Sequence, residues 1–262
     1  MSPLPTGGPL SLAAVLSEMT SHVDYLRVSL DAPAADGWLR CHDLLADPAL
    51  LAESIRLTGP GRGAPNDMVA ASLYVQAYAF RIAVVALGPF ALGLASPTCA
   101  PEATAIRIAR HRPAAVAVLD HRLGQAGDRG PDATAEALLA GHLVPFVEAV
   151  AKIFTIGRRL LWGNVAASCM TVFRALDGAP HANRAAVQQQ ATAFFAAAAP
   201  WLEGLGQFDL VRVGEQTGWY WTRQACCLWY QCSGGQVCDD CSLTSPEDRL
   251  AARRLQLVGG AA

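Results

Sequence analysis

Five of the eight cysteines, Cys226, Cys227, Cys232, Cys238 and Cys241, fall within sixteen residues, and four of them spell C-C-x10-C-x2-C. Thiolates spaced as Cys238 and Cys241 are can turn onto one metal ion, and four thiolates complete either a zinc site or an iron–sulfur cluster. The adjacent pair Cys226 and Cys227 departs from a zinc ribbon, which brings a spaced knuckle at each end. Neighbouring side chains on an extended strand face opposite ways, so the backbone must kink to aim both sulfurs inward. The cysteines are too dense for core packing alone, and structural zinc is the competing reading.

The elements that must position these thiols read as mainly helical. Leu12, Val15, Leu16, Met19, Val23 and Leu26 recur at helical spacing. Asp47 and Pro48 open a short helix that Gly59 ends. The segment 59–67, GPGRGAPND, lacks the GK[ST] of a phosphate loop and reads as a connector, after which Asn66 or Asp67 caps a long apolar helix through about Leu87. Alternation over 105–120 predicts a β-hairpin. A loop over 124–131 leads to an Ala-rich helix capped by Asp132 and ending before Pro145. Leu160 to Leu176 form a helix closed by Gly178, and another spans 183–199. From Gly206 aromatic and β-branched residues dominate, and CCLWYQC and QVCDDC read as two short arms joined at Ser233-Gly234-Gly235. Ser245-Pro246-Glu247-Asp248 opens a C-terminal helix carrying Arg253 and Arg254, expected as a solvated lid. The predicted fold is mainly α (α+β), with a small antiparallel β-hairpin and an irregular C-terminal cysteine-rich cluster-binding segment. Its predicted divisions are a helical domain, 1–205, and the segment 206–262 packed on it.

Net charge is −2 and the pI about 6.3, so no basic field draws in nucleic acid or anionic lipid. The N-terminus lacks the basic region and uninterrupted apolar run of a signal peptide. Residues 82–95, broken by Gly88 and Pro89, fall short of the ~20 residues of a membrane span, so no transmembrane helix is expected. In the cytoplasm thiols stay reduced, which favours metal or redox use of clustered cysteines over disulfides. The six histidines show no shared metal spacing. Cys41 beside His42 lacks a nucleophile elbow, so a hydrolase is not expected.

Residues 223–243, RQACCLWYQCSGGQVCDDCSL, resemble the C-terminal signature of the FhuF family of ferric-siderophore reductases. The resemblance implies a [2Fe–2S] cluster held by Cys226, Cys227, Cys238 and Cys241, with Cys232 a bystander. Ser242 stands where the family often has Pro, a departure at a turn and not at a ligand. The segment 158–164, RRLLWGN, is also similar to the family. The implied activity is one-electron reduction of siderophore-bound Fe(III), releasing Fe(II) in the cytoplasm, with the protein free or peripheral at the inner face of the membrane. The implied partners are a ferric siderophore of hydroxamate type and an external electron donor such as a ferredoxin or reductase, and a monomer is expected. Arg158, Arg159, Trp162, Asn164 and Arg223 are the candidate contacts to the chelate, weighed against a helix terminus that packs Trp162 inward. Trp219, Tyr220, Trp221, Trp229 and Tyr230 read as subdomain packing that can also keep the cluster dry. The alternatives are a zinc-stabilised siderophore- or partner-binding protein and an iron–sulfur sensor or electron shuttle.

Overall fold

In the computed structural model, which describes residues 11–33, 37–124 and 130–259, the helical periodicity is realised together with its caps. The N-terminal decapeptide and most of the loop 124–131 lie outside the described residues. Ser11 accepts from the Ala14 amide and opens α1, Leu12–His22, with Leu12, Val15, Leu16 and Met19 buried. A short strand β1, Trp38–Arg40, and helix α2, Cys41–Ala46, follow. The Asp47 carboxylate takes the amides of Ala49 and Leu50 at the head of α3, Pro48–Thr58, an arrangement generally worth about 1 kcal/mol. Asn66 then caps α4, Asp67–Ala91.

The alternating segment forms β2, Thr104–Ala109, and β3, Arg112–Val118, paired as the expected antiparallel hairpin. β1 adds on the free side of β2, giving a three-stranded sheet. Next come α5, Pro131–Ala135, a π-helical stretch over Glu136–Leu143, and α6, Val144–Phe154. The expectation that the helix ends before Pro145 is thus corrected. Pro145 lacks an N–H and its ring needs room, and the wider π turns ahead of it let the helix run on. Its start is corrected too: Asp132 lies inside the first turn, behind Gly130 and Pro131.

Helix α7, Arg158–Asp177, packs along α4, with Asn164 and Ser168 donating to the α4 carbonyls of Ser72 and Gln76. Asn183 caps α8, Arg184–Ala197, and α9, Ala199–Leu202, completes the helical layer. Both α4 and the stretch 131–154 are long and apolar enough to span a membrane by length and composition, but α4 is the central core helix, with 72% of its most apolar window buried.

At the centre, His142 is wholly buried between Tyr78 and the chain at Cys99. A carbonyl can only accept, so Nδ1–H donates to Cys99 O at 2.5 Å and Nε2 accepts from the Tyr78 hydroxyl at 2.7 Å. Burial drives its pKa from 6.5 down to about 4. Below pH 6.5 the unfolded chain therefore takes a proton that the folded chain refuses. The stability from neutral His142 is complete above pH 6.5 and falls by about 3 kcal/mol as the pH drops through 4. Tm measured from pH 7 to 4 is expected to decline in the wild type and to lose that component in His142→Gln; an unchanged slope would assign it elsewhere.

The C-terminal part begins with a second antiparallel hairpin, β4, Gly206–Val213, and β5, Gln216–Arg223. It is the FDLVRV and GWYW segments that pair, ahead of the cysteines. The last helix, α10, Pro246–Gly259, opens with the Ser245 hydroxyl capping the Asp248 amide. Most of it stays in solvent, as expected, but Arg253 is buried, with Nη1 on Asp209 at 2.7 Å and Nη2 donating to Trp221 O and Thr222 Oγ1. The guanidinium thus ties the solvated helix to the hairpin, which its fit to the helix dipole alone did not require. The fold class is the predicted one, mainly helical with small antiparallel sheets and a cysteine-rich C-terminal region.

Candidate metal centre

Strand β5 delivers the chain to the cysteines and stops there, because the following amides turn to other acceptors. Arg223 N–H donates to Asp240 O and Gln224 N–H to Leu205 O. Leu228 then adopts a left-handed backbone, φ 66°, which costs a leucine on the order of 1 kcal/mol. It turns the chain sharply just behind the cysteine pair. Across it, Leu228 N–H reaches Cys226 Sγ at 3.4 Å and Trp229 N–H bonds Cys227. On the other side Cys241 N–H closes a turn onto Cys238 O at 3.0 Å, and Leu243 N–H reaches Cys241 Sγ at 3.4 Å. The turn at Ser233–Gly235 is present, with Gly234 at φ 75°. The two arms form no ladder among the described residues, a correction explained by amides spent on sulfur and turn carbonyls.

The thiols meet in pairs. Cys227 Sγ lies 3.4 Å from Cys238 Sγ, and Cys226 is hydrogen-bonded to Cys241. The hydrogen bond from Cys238 draws the Cys227 pKa down to about 6, helped by the nearby Arg223 charge, while Cys238 is pushed well up because it keeps the shared proton. Ligand sulfurs must lose their protons to bind metal, and this pair already holds one in common. Two thiol pairs match the donor set of a [2Fe–2S] cluster, in which each iron takes two protein ligands. Cys232 is turned away into an apolar cluster with Val69, Leu73 and Leu228.

The helices brace this segment from behind. Ser72 of α4 donates its hydroxyl to Cys227 O at 2.7 Å, and Asn164 of α7 donates Nδ2 to Ser72 O and Oγ, both at 2.9 Å. Asn164 Oδ1 accepts from Arg223 Nη2 at 2.6 Å. Arg223 is only 2% exposed and its buried Nε has no partner. That orphaned donor, on a side chain whose charge reaches Cys227 and Cys238, fits a negatively charged group in the site. A Cβ on Gly163 would come within 2.4 Å of the Ala225 Cβ, so glycine there is what lets α7 approach. The connector 59–67 wraps the far side. Gly63 O accepts from Ser233 N–H at 2.9 Å, and the Arg62 guanidinium lies 4.8 Å over the Trp229 ring.

Of the residues singled out for chelate contact, the structure brings Asn164 and Arg223 to the thiols, both buried with partners inside the protein. Arg158 instead forks onto Glu148 at 2.6 and 2.7 Å, Arg159 donates to Gly204 O, and Trp162 packs against the core. Trp219 and Trp221 pack on Phe208, and Trp221 also on Phe195, whereas Tyr230 is exposed. Ser72 and Arg62 escape a reading by motif. One is a helical serine in an apolar run, the other a basic residue in a Gly/Pro connector, and only the fold brings them here.

Comparison with known families places the site in a class: residues 223–243 match the FhuF 2Fe-2S C-terminal domain, which makes this an iron–sulfur segment. The resemblance read from the sequence is borne out over those residues, and the cofactor it indicates is a [2Fe–2S] cluster. No curated protein matches the chain.

Proposed function

We propose that this protein is a ferric-siderophore reductase that works in the cytoplasm. The supporting observation is the pairing of Cys227 with Cys238 and of Cys226 with Cys241 within a matched FhuF-type segment, with Cys226 and Cys238 only half-buried at its surface. When bound, a [2Fe–2S] cluster supplies a one-electron store. The chain's contribution is to hold it and set its charge balance. The four cysteines are its ligands, the amides of Leu228, Trp229 and Leu243 donate to their sulfurs, and the buried Arg223 guanidinium offsets negative charge. Half-exposed thiols on one side leave an approach for an external donor and for the chelate.

The overall change is one electron, from a donor such as a ferredoxin or reductase, added to chelated Fe(III) to give Fe(II). Hard oxygen ligands hold Fe(III) far more tightly than Fe(II), so the electron loosens the metal without breaking a covalent bond. Each ~59 mV of driving force changes a one-electron equilibrium tenfold, and capture of Fe(II) draws an unfavourable transfer forward. Dithionite-reduced protein mixed anaerobically with a ferric trihydroxamate is expected to regain its oxidised spectrum while Fe(II) accumulates in a ferrous trap. A reduced protein that ignores ferric chelates but reoxidises with other acceptors would be a sensor or shuttle. Stoichiometric zinc without acid-labile sulfide would return the protein to a binding role.

A further inference from the structure

Beside the cysteine segment three arginines, Arg62, Arg81 and Arg112, border one open cleft of about 340 Å³, with Gln76, Ser168 and Thr171 among its polar walls and no Asp or Glu in its lining among the described residues. Far apart in sequence, they come together where the 59–67 connector meets the turn at His111 beside α4. Among the described residues none of the three forms an ion pair. Arg62 lies over Trp229, and Arg81 lies 5.1 Å over the Phe80 ring and donates Nη1 to Tyr25 O. Both leave a buried Nε without a partner. Burial, and then repulsion from Arg112, pulls the pKa of Arg62 and of Arg81 below the usual guanidinium range. Three like charges at one cleft repel one another unless an anion joins them, and guanidinium forks are suited to carboxylate oxygens.

The cleft is joined to the cysteine segment through α4. Leu73 lines it and packs in the same apolar cluster as Leu228 and Cys232, while the preceding Ser72 holds Cys227 O. We infer that this cleft binds the substrate, and that among ferric hydroxamates it favours a net anionic chelate presenting carboxylates over a neutral or cationic trihydroxamate. The inference rests on the reductase reading for the word substrate, and on the arginines for the charge. Arg158, with its fork filled by Glu148, is outside this site.

Gallium(III) complexes test it without electron transfer, because gallium(III) is not reduced under these conditions. Cluster-loaded protein is titrated calorimetrically with gallium aerobactin, a citrate dihydroxamate complex of net negative charge, and with gallium desferrioxamine B, a trihydroxamate complex without it. The aerobactin complex is expected to bind at least about tenfold more tightly, with a preference that shrinks as salt rises. Arg81→Gln and Arg112→Gln should each weaken it about tenfold, as loss of a charge-assisted hydrogen bond does. Arg81→Lys should recover part of the loss, and Arg158→Gln should change nothing. An unaltered visible spectrum and Tm confirm that each variant is folded and loaded. Equal affinity for the two complexes, or arginine variants that bind like the wild type, would overturn the inference. The ferric complexes, run with a ferrous trap, separate this from the reductase reading. Arginine-dependent binding of gallium aerobactin without reduction of its ferric form would support the cleft as an anion site and sink the reductase.

Discussion

Serine at Cys226, Cys227, Cys238 or Cys241, one position at a time, is expected to bring iron and acid-labile sulfide close to zero, whereas Cys232→Ser keeps about two of each per chain. The asymmetry follows from geometry. The four motif thiols meet as two pairs, so any one deletion would leave a cluster held there one thiolate short of the four it needs. Cys232 faces Val69, Leu73 and Leu228, where a hydroxyl costs some packing but removes no ligand. Iron and sulfide analysis with an anaerobic visible spectrum reads the result. Loss of the cluster in Cys232→Ser, together with retention in any motif variant, would mean the ligand set is misassigned.

The cluster signature was legible because thiol spacing is local: four motif thiols within sixteen residues advertise themselves. That the chain must leave the extended strand at the adjacent cysteines was legible too; β5 ends at Arg223 and the chain turns left-handed at Leu228. The caps at Asp47, Asn66 and Ser245 were legible because short side chains compete for free helix amides. What stayed hidden depended on tertiary pairing. Arg62, Arg81 and Arg112 are unremarkable until the fold stacks their elements, and Arg158 looked available until Glu148 took its fork. Pro145 read as a stop because a widened helical turn upstream leaves no mark in a pattern of apolar residues. Arg253 read as dipole compensation because nothing local shows that Asp209 and the hairpin lie over it.

Arg223 carries the other large expectation, a fall in the cluster midpoint potential on the order of 100 mV in Arg223→Met. Reduction adds one negative charge, and a buried guanidinium favours the state that gains it. At an effective dielectric of about 20, a unit charge about 6 Å away is worth about 3 kcal/mol. At ~59 mV for each tenfold change, that corresponds to roughly 120 mV for one electron. Little of this is lost to solvent, because Arg223 is 2% exposed and its free Nε has no other acceptor. The substitution also leaves Asn164 Oδ1 without its donor, a cost of about 1–3 kcal/mol in stability. A lowered Tm alone therefore does not separate tuning from packing. The midpoint potential does, followed by electron paramagnetic resonance in a redox titration of fully loaded protein. Arg223→Lys, which keeps the charge but cannot reproduce the planar fork, should recover most of the potential and less of the stability. If both variants retain the wild-type potential while losing stability, Arg223 serves only to tie β5 to α7, and the amides of Leu228, Trp229 and Leu243 are left as the chain's means of favouring the reduced state.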